Sequence, residues 1–149
     1  MGHHPDRYAS IVDVCVLLQR ADRRMLLAER ANTGFSDGQL GIPGGRLEAG
    51  ESVAAGAARE LAEEAGVVMD PAELELLYVA HHTGGAWGAR LGFFFGTSSW
   101  SGEPDNREPQ LCAGLHWADP ADLPDKTVRY VAAVLADIRA GKTFSMHGW

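Results

Sequence analysis

The sequence predicts a mixed α/β sandwich. Apolar, β-branched runs of strand length recur along the chain, and two segments of helical periodicity stand among them. The 149 residues suit one domain, residues 1–149, around a single core, with residues 1–7 expected to be flexible.

From the amino end, Tyr8 to Leu18 is rich in β-branched residues, and Met25 to Glu29 is a second apolar run beyond the polar QRADRR. That layout predicts a hairpin. Ala31 to Gly50 carries too much glycine for a regular element and predicts a long loop, interrupted by a short strand near Leu40 to Ile42. Long loops in compact domains are often functional. Ser52 is placed to cap a helix over VAAGAARELAEEA, and Gly66 to end it in the left-handed conformation. Gly56 costs that helix about 1 kcal/mol against alanine, which close packing on a sheet would explain. Strands follow at Leu74 to His82, Arg90 to Thr97 and Leu111 to Trp117, then a second helix from Lys126 to Ala140 that stops at Gly141.

Composition narrows the function. Hydrophobic residues make up 46% and charged residues 22%, the balance of a globular protein and not of a disordered one. A net charge of −7 argues against nonspecific nucleic-acid binding, which relies on Lys and Arg neutralising phosphates. No apolar run approaches the roughly 20 residues that span a bilayer, and the amino end lacks a secretory layout, so a cytoplasmic location is expected. Cys15 and Cys112 are read as reduced and without a metal, Cys15 as a small hydrophobe in IVDVCVLL.

The chemistry concentrates in the first helix. Glu60, Glu63 and Glu64 lie three and four residues apart, on one side of it, where like charges repel. Glu51 adds a fourth carboxylate and Arg59 is the one nearby cation. A divalent cation resolves the conflict: Mg²⁺, which prefers hard oxygen ligands, with Mn²⁺ able to replace it. A bare glutamate triplet is more often a solvated helix face. The flanks reverse that preference, because GRLEAGESVAAGAARELAEEAGV fits nine specified positions that chance would match less than about once in a hundred million starts.

That pattern is the Nudix box, and the chain resembles the Nudix hydrolase family with no departure inside it. RANTGFSDGQLGIPGG before the box, and WSGEPDNREP, the LHW before DLP, and HGW after it, are similar to a MutT-like branch. Leu40, where many relatives carry an aromatic, and Leu111, where this branch often has lysine, depart from it. The resemblance implies an α/β/α sandwich with a mixed sheet and the box as loop, helix, loop. It implies that Glu60, Glu63 and Glu64 ligate metal, and that Glu60 or a carboxylate outside the box helps deprotonate the attacking water. By the same resemblance, the Gly44 and Gly45 turn can bring a backbone carbonyl to the metal. Arg59 is expected to pair with Glu51 or a neighbouring glutamate and orient the cluster, with Glu51 at the edge of the site. Glu108 in NREPQ resembles a further metal carboxylate, with Glu103 and Asp105 as fallbacks.

Arg30 and Arg90 are candidates for substrate phosphates, with surface arginine as the plainer reading. Phe35, Trp87 and Trp117 are candidates for stacking on a base, Phe35 foremost, while Phe93 to Phe95 read as sheet packing. His81 and His82 should point to opposite faces of a strand, so at most one faces the site. The implied reaction is hydrolysis of a nucleoside triphosphate, possible substrates including oxidised or noncanonical ones, to a monophosphate and pyrophosphate. A nucleoside diphosphate linked to a sugar or other group, as in ADP-ribose, is the alternative substrate. A nucleotide sensor is the non-enzymatic alternative, against which the complete glutamate set argues. The expected partner is a small-molecule nucleotide, with neither nucleic acid nor membrane; monomer and homodimer both stay open.

Overall fold

The computed structural model describes residues 6–85 and 88–149. The strands are β1 (Ile11–Leu18), β2 (Met25–Arg30), β3 (Leu40–Gly41), β4 (Gly44–Arg46), β5 (Glu75–Gly85), β6 (Gly88–Thr97), β7 (Cys112–Ala118) and β8 (Phe144–His147); the helices are α1 (Val53–Ala65) and α2 (Arg129–Arg139). They form a five-stranded sheet in the order β4-β1-β6-β5-β8 and a three-stranded sheet in the order β3-β2-β7. β1 runs parallel to β6 and β5 parallel to β8, while the other pairings are antiparallel, so the larger sheet is mixed as expected.

Alternation along β1 divides the core. Val14, Val16 and Leu18 face α1, packing with Ala57, Leu61, Ala65 and Phe95. Leu17 faces the other way and joins Tyr78, Ala80, Phe94, Val131, Val134 and Leu135 beneath α2. A period of two in the strands and an apolar stripe on each helix are enough to build this sandwich. Phe93, Phe94 and Phe95 are indeed sheet packing, split between its two faces.

Several expectations need correction. β1 and β2 are not a hairpin: β1 has β4 and β6 on its two edges and β2 has β3 and β7, and only the connection between them is paired, through the Gln19–Met25 bridge just beyond β1 and the Arg20 amide on the Arg24 carbonyl at 2.9 Å. The α1 boundaries agree, with Ser52 accepting from the Ala55 amide at 3.1 Å and Gly66 left-handed at φ 68°. Gly56, however, faces not a sheet but the loop before the helix, where an added Cβ would lie 2.8 Å from both a Glu51 carboxylate oxygen and Leu47 Cδ1. α2 begins at Arg129, because Lys126 and Val128 use their backbone groups to hold Leu40, each across 2.9 Å. The short strands β4 and β8 were not anticipated. Of residues 1–7, expected to be flexible, 1–5 lie outside the described residues. Both cysteines are free, and burial pushes the Cys15 thiol pKa up.

Candidate active site

Helix α1 meets the Gly44–Gly45 turn at the edge of the larger sheet. β4 pairs with β1, which sets Gly44 beside Cys15 and Gly45 beside Val14. The Gly44 amide donates to Glu64 Oε2 at 3.1 Å. A Cβ on Gly45 would stand 2.5 Å from the Glu60 carboxyl carbon, and one on Gly44 would stand 2.8 Å from Cys15 Sγ. Gly45 therefore leaves the space that the Glu60 carboxyl occupies, while Gly44 lets β4 close on β1.

These carboxyls sit in an unusual field. Burial, then the charge of Glu60, pushes the Glu64 pKa up to about 8, with Glu108 adding to the rise and the Gly44 amide opposing it. Burial also raises Glu60, against the pull of Arg59. Two partly buried carboxyls facing one another is an arrangement that favours a proton or a cation between them. Glu63, with half of its side chain exposed, lies outward on the same helix.

Arg59 is the hub on the outer side. Its guanidinium donates to Glu51 at 2.7 and 3.0 Å, to Glu60 at 2.9 Å, to Glu63 at 3.3 Å and to the Arg46 carbonyl at 3.2 Å. Glu51 in turn accepts from the Glu48 amide at 2.8 Å, and these bonds, Arg59 first, hold its pKa down to about 2. The expected pairing of Arg59 with Glu51 is present. Among the described residues no three His, Cys, Asp or Glu side chains converge closely enough to hold a metal ion by themselves. The donor set nevertheless suits a hard divalent cation: oxygen ligands alone, with two carboxyls pressed together in a partly buried corner.

A groove of about 140 Å³ runs from this corner between the two sheets. Glu64, Glu108, Gly44, Arg30 and Thr33 line it, with Ile42, Leu111 and Leu115 among its apolar walls. Glu108 thus shares the groove with Glu64, whereas Glu103 and Asp105 do not line it. A larger hollow of about 430 Å³, lined by Gln19, Arg20, Ala21, Asp22, Ser98 and Trp100, includes no residue of the box.

The other candidates divide. Phe35 is 66% exposed, on a loop braced from below by Arg30, which donates to the Phe35 carbonyl at 2.8 Å and to Thr33 Oγ1 at 3.2 Å. Arg90 is not free for phosphate: Asp13 fills its guanidinium fork at 2.6 and 2.7 Å. Trp117 stacks on Trp100 at 5.9 Å beneath Arg20, a packing role. Trp87 lies outside the described residues. His81 and His82 do point apart, His81 onto Trp149 and His82 onto Tyr130. Leu40 is buried, while Leu111 is half exposed and lines the groove. The groove residues Cys112, Leu115 and Thr33 were missed, since nothing in their local sequence signals the meeting of two sheets.

A family model described as NUDIX domain matches residues 9–137. The crystal structure of the MutT NUDIX hydrolase from Burkholderia pseudomallei is 27% identical with a TM-score of 0.77, over 87% of this chain and 98% of that one. The MutT protein from Methanosarcina mazei Go1 has the same fold at 18% identity and a TM-score of 0.77, over 88% and 94% of the two chains. The NUDIX domain of Shewanella oneidensis NrtR, solved with ADP ribose, reaches a TM-score of 0.73 at 22% identity, over 93% and 92%.

Proposed function

The chain belongs to the Nudix family and is a MutT-like Nudix hydrolase, and on that premise we propose that it cleaves nucleoside triphosphates, oxidised or noncanonical ones included, to a monophosphate and pyrophosphate. The observation that carries the reading is the pairing of Glu64 with Glu60 at the Gly44–Gly45 turn, where a cation would replace a proton. Glu60, Glu63 and Glu64 are the proposed ligands, with Glu108 and a backbone carbonyl of Gly44 or Gly45 completing the set. Mg²⁺, or Mn²⁺ in its place, would neutralise phosphate oxygens and lower the pKa of a bound water.

The remaining work falls to the chain. Water attacks phosphorus and the bridging P–O bond breaks; Glu60 or Glu108 receives the proton that the water gives up. Arg59 restrains Glu60 and Glu63 from outside and is itself anchored by Glu51, an orienting role. Phe35 offers a face for the base, and Arg30 serves by holding it.

A second reading keeps the chemistry and changes the leaving group to a sugar-linked phosphate. The ADP ribose in the Shewanella oneidensis NrtR domain is what favours it. One experiment separates the readings: incubation with Mg²⁺ and a panel of nucleoside triphosphates and sugar-linked nucleotides, measuring released products. Pyrophosphate from triphosphates supports the first, and turnover confined to ADP-ribose-like compounds supports the second. Turnover unaffected by Glu64→Gln would sink the assignment of the site.

A further inference from the structure

The last four carbonyls of an α-helix lack intrahelical partners and form its negative pole. Helix α1 has no basic residue in its last turn to meet that pole. A distant loop supplies what the helix lacks. Gly66 donates its own amide to the Ala62 carbonyl at 3.0 Å, but the Ala65 carbonyl accepts from Asp105 at 2.8 Å and the Glu64 carbonyl accepts from Arg107 at 3.0 Å. The Arg107 side chain lies over the helix end, so close that a Cβ on Gly66 would stand 2.7 Å from its Nε.

The next residues fasten the other side of the same loop. Asn106 Oδ1 accepts from the Glu108 amide at 3.2 Å, and Asn106 Nδ2 donates to the Cys112 carbonyl at 2.7 Å. The Glu108 carbonyl accepts from the amides of Leu111 and Cys112, each at 2.9 Å. Glu108 is therefore held on both sides, by helix α1 through Arg107 and by the start of β7 through Cys112.

We infer that Asn106 and Arg107 form a latch that registers Glu108 against Glu64, which makes them positioning residues of the metal site. The inference rests on the proposed assignment of Glu64 and Glu108 to that site. Glu64 is the shared node: its side chain takes the Gly44 amide and its backbone carbonyl takes the Arg107 amide. A loop already bound to the helix spends no ordering entropy when a cation arrives, so the latch raises affinity by preorganising the ligand.

The test is Mn²⁺ binding to the full chain, followed by water-proton relaxation. Asn106→Ala, which removes both side-chain bonds of the loop, and Arg107→Pro, which removes the amide that bonds to the Glu64 carbonyl, should each weaken Mn²⁺ by about tenfold, the usual scale for residues that orient metal ligands. Arg107→Ala keeps that amide and should bind Mn²⁺ nearly as the wild type does. Glu108→Gln should weaken binding at least as much as Asn106→Ala, and the two combined should bind like Glu108→Gln alone, because the latch acts through Glu108. In the metal-free protein, Asn106→Ala should also speed hydrogen exchange at the Asp105 and Arg107 amides. Wild-type Mn²⁺ affinity in Asn106→Ala and Arg107→Pro, or losses that simply add in the double variant, overturns the latch. Wild-type affinity in Glu108→Gln with loss in Glu64→Gln overturns the latch and leaves the proposed function standing; wild-type affinity in Glu64→Gln overturns the site itself.

Discussion

The Gly44 amide donates to Glu64 Oε2 across 3.1 Å, joining the turn before the box to the helix that carries its glutamates. Twenty residues separate the two in sequence. The bond fixes the depth of α1 against β4 and leaves the neighbouring Gly45 facing Glu60.

Gly45→Ala tests that contact. Gly45 has no positive φ, so alanine suits its backbone, and the damage should come from the side chain alone. An added Cβ would collide with the Glu60 carboxyl at 2.5 Å and push it aside. A displacement near 1 Å in a catalytic group costs about a hundredfold in rate. Steady-state pyrophosphate release should fall by about that factor while the thermal midpoint changes little. Full activity would show that Glu60 can move without consequence.

Glu64 predicts a pH dependence. Its carboxyl titrates near 8 in the folded, metal-free protein, against an ordinary value of 4.5. Between those values the unfolded chain has lost a proton that the folded chain still holds, so rising pH favours unfolding. The contribution of Glu64 to metal-free stability should be full below about pH 4.5 and decline as the pH approaches 8. The shift corresponds to at most about 5 kcal/mol, and solvent access reduces the expected loss to about 2 kcal/mol. Glu64→Gln should flatten the decline, and Mg²⁺ should restore the wild type at the alkaline end. Urea midpoints in EDTA that stay level between about pH 5 and pH 8 would refute this.

The box helix was legible because its signals are local: the Ser52 cap, the Gly66 stop, and glutamates whose spacing puts them on one side. Sheet membership was not. Two apolar runs joined by a short, largely polar segment satisfy a hairpin rule, yet β1 spends both edges on β4 and β6, partners that the local pattern does not name. The same reason hid the Asp13–Arg90 pair, whose members lie 77 residues apart and meet only because β1 and β6 run side by side. The glutamates of the site were readable from sequence, while the bonds that aim them, from Gly44 and Arg107, depend on long-range register.

Leu40 marks a departure from the MutT-like pattern, and the packing gives it a cost that can be measured. It is 1% exposed, clustered with Leu27 and Ala118, and its amide and carbonyl both bond to the segment before α2. Leu40→Trp should overpack this corner and lose about 1–3 kcal/mol in urea denaturation. An unchanged midpoint would mean that an aromatic fits here, and that the departure reflects no steric limit.

Phe35 sits on a loop whose shape is built before any ligand arrives. Asp37 accepts from the Thr33 and Gly34 amides at 3.0 Å each, left-handed glycines at 34 and 38 turn the chain, and the Arg30 guanidinium lies 5.6 Å from the centre of the Phe35 ring. An exposed ring on a braced loop is suited to stacking on a base, a contact worth about 1–3 kcal/mol. Phe35→Ala should therefore raise KM for nucleoside triphosphates by about tenfold with little change in kcat, and Phe35→Trp should keep the wild-type value. Arg30→Ala should behave like Phe35→Ala, because Arg30 acts by holding the loop. Inorganic tripolyphosphate carries no base, so any turnover of it should be indifferent to all three substitutions. A kcat loss on tripolyphosphate in Arg30→Ala would instead put the Arg30 guanidinium on the phosphates, the role for which it is a candidate by sequence.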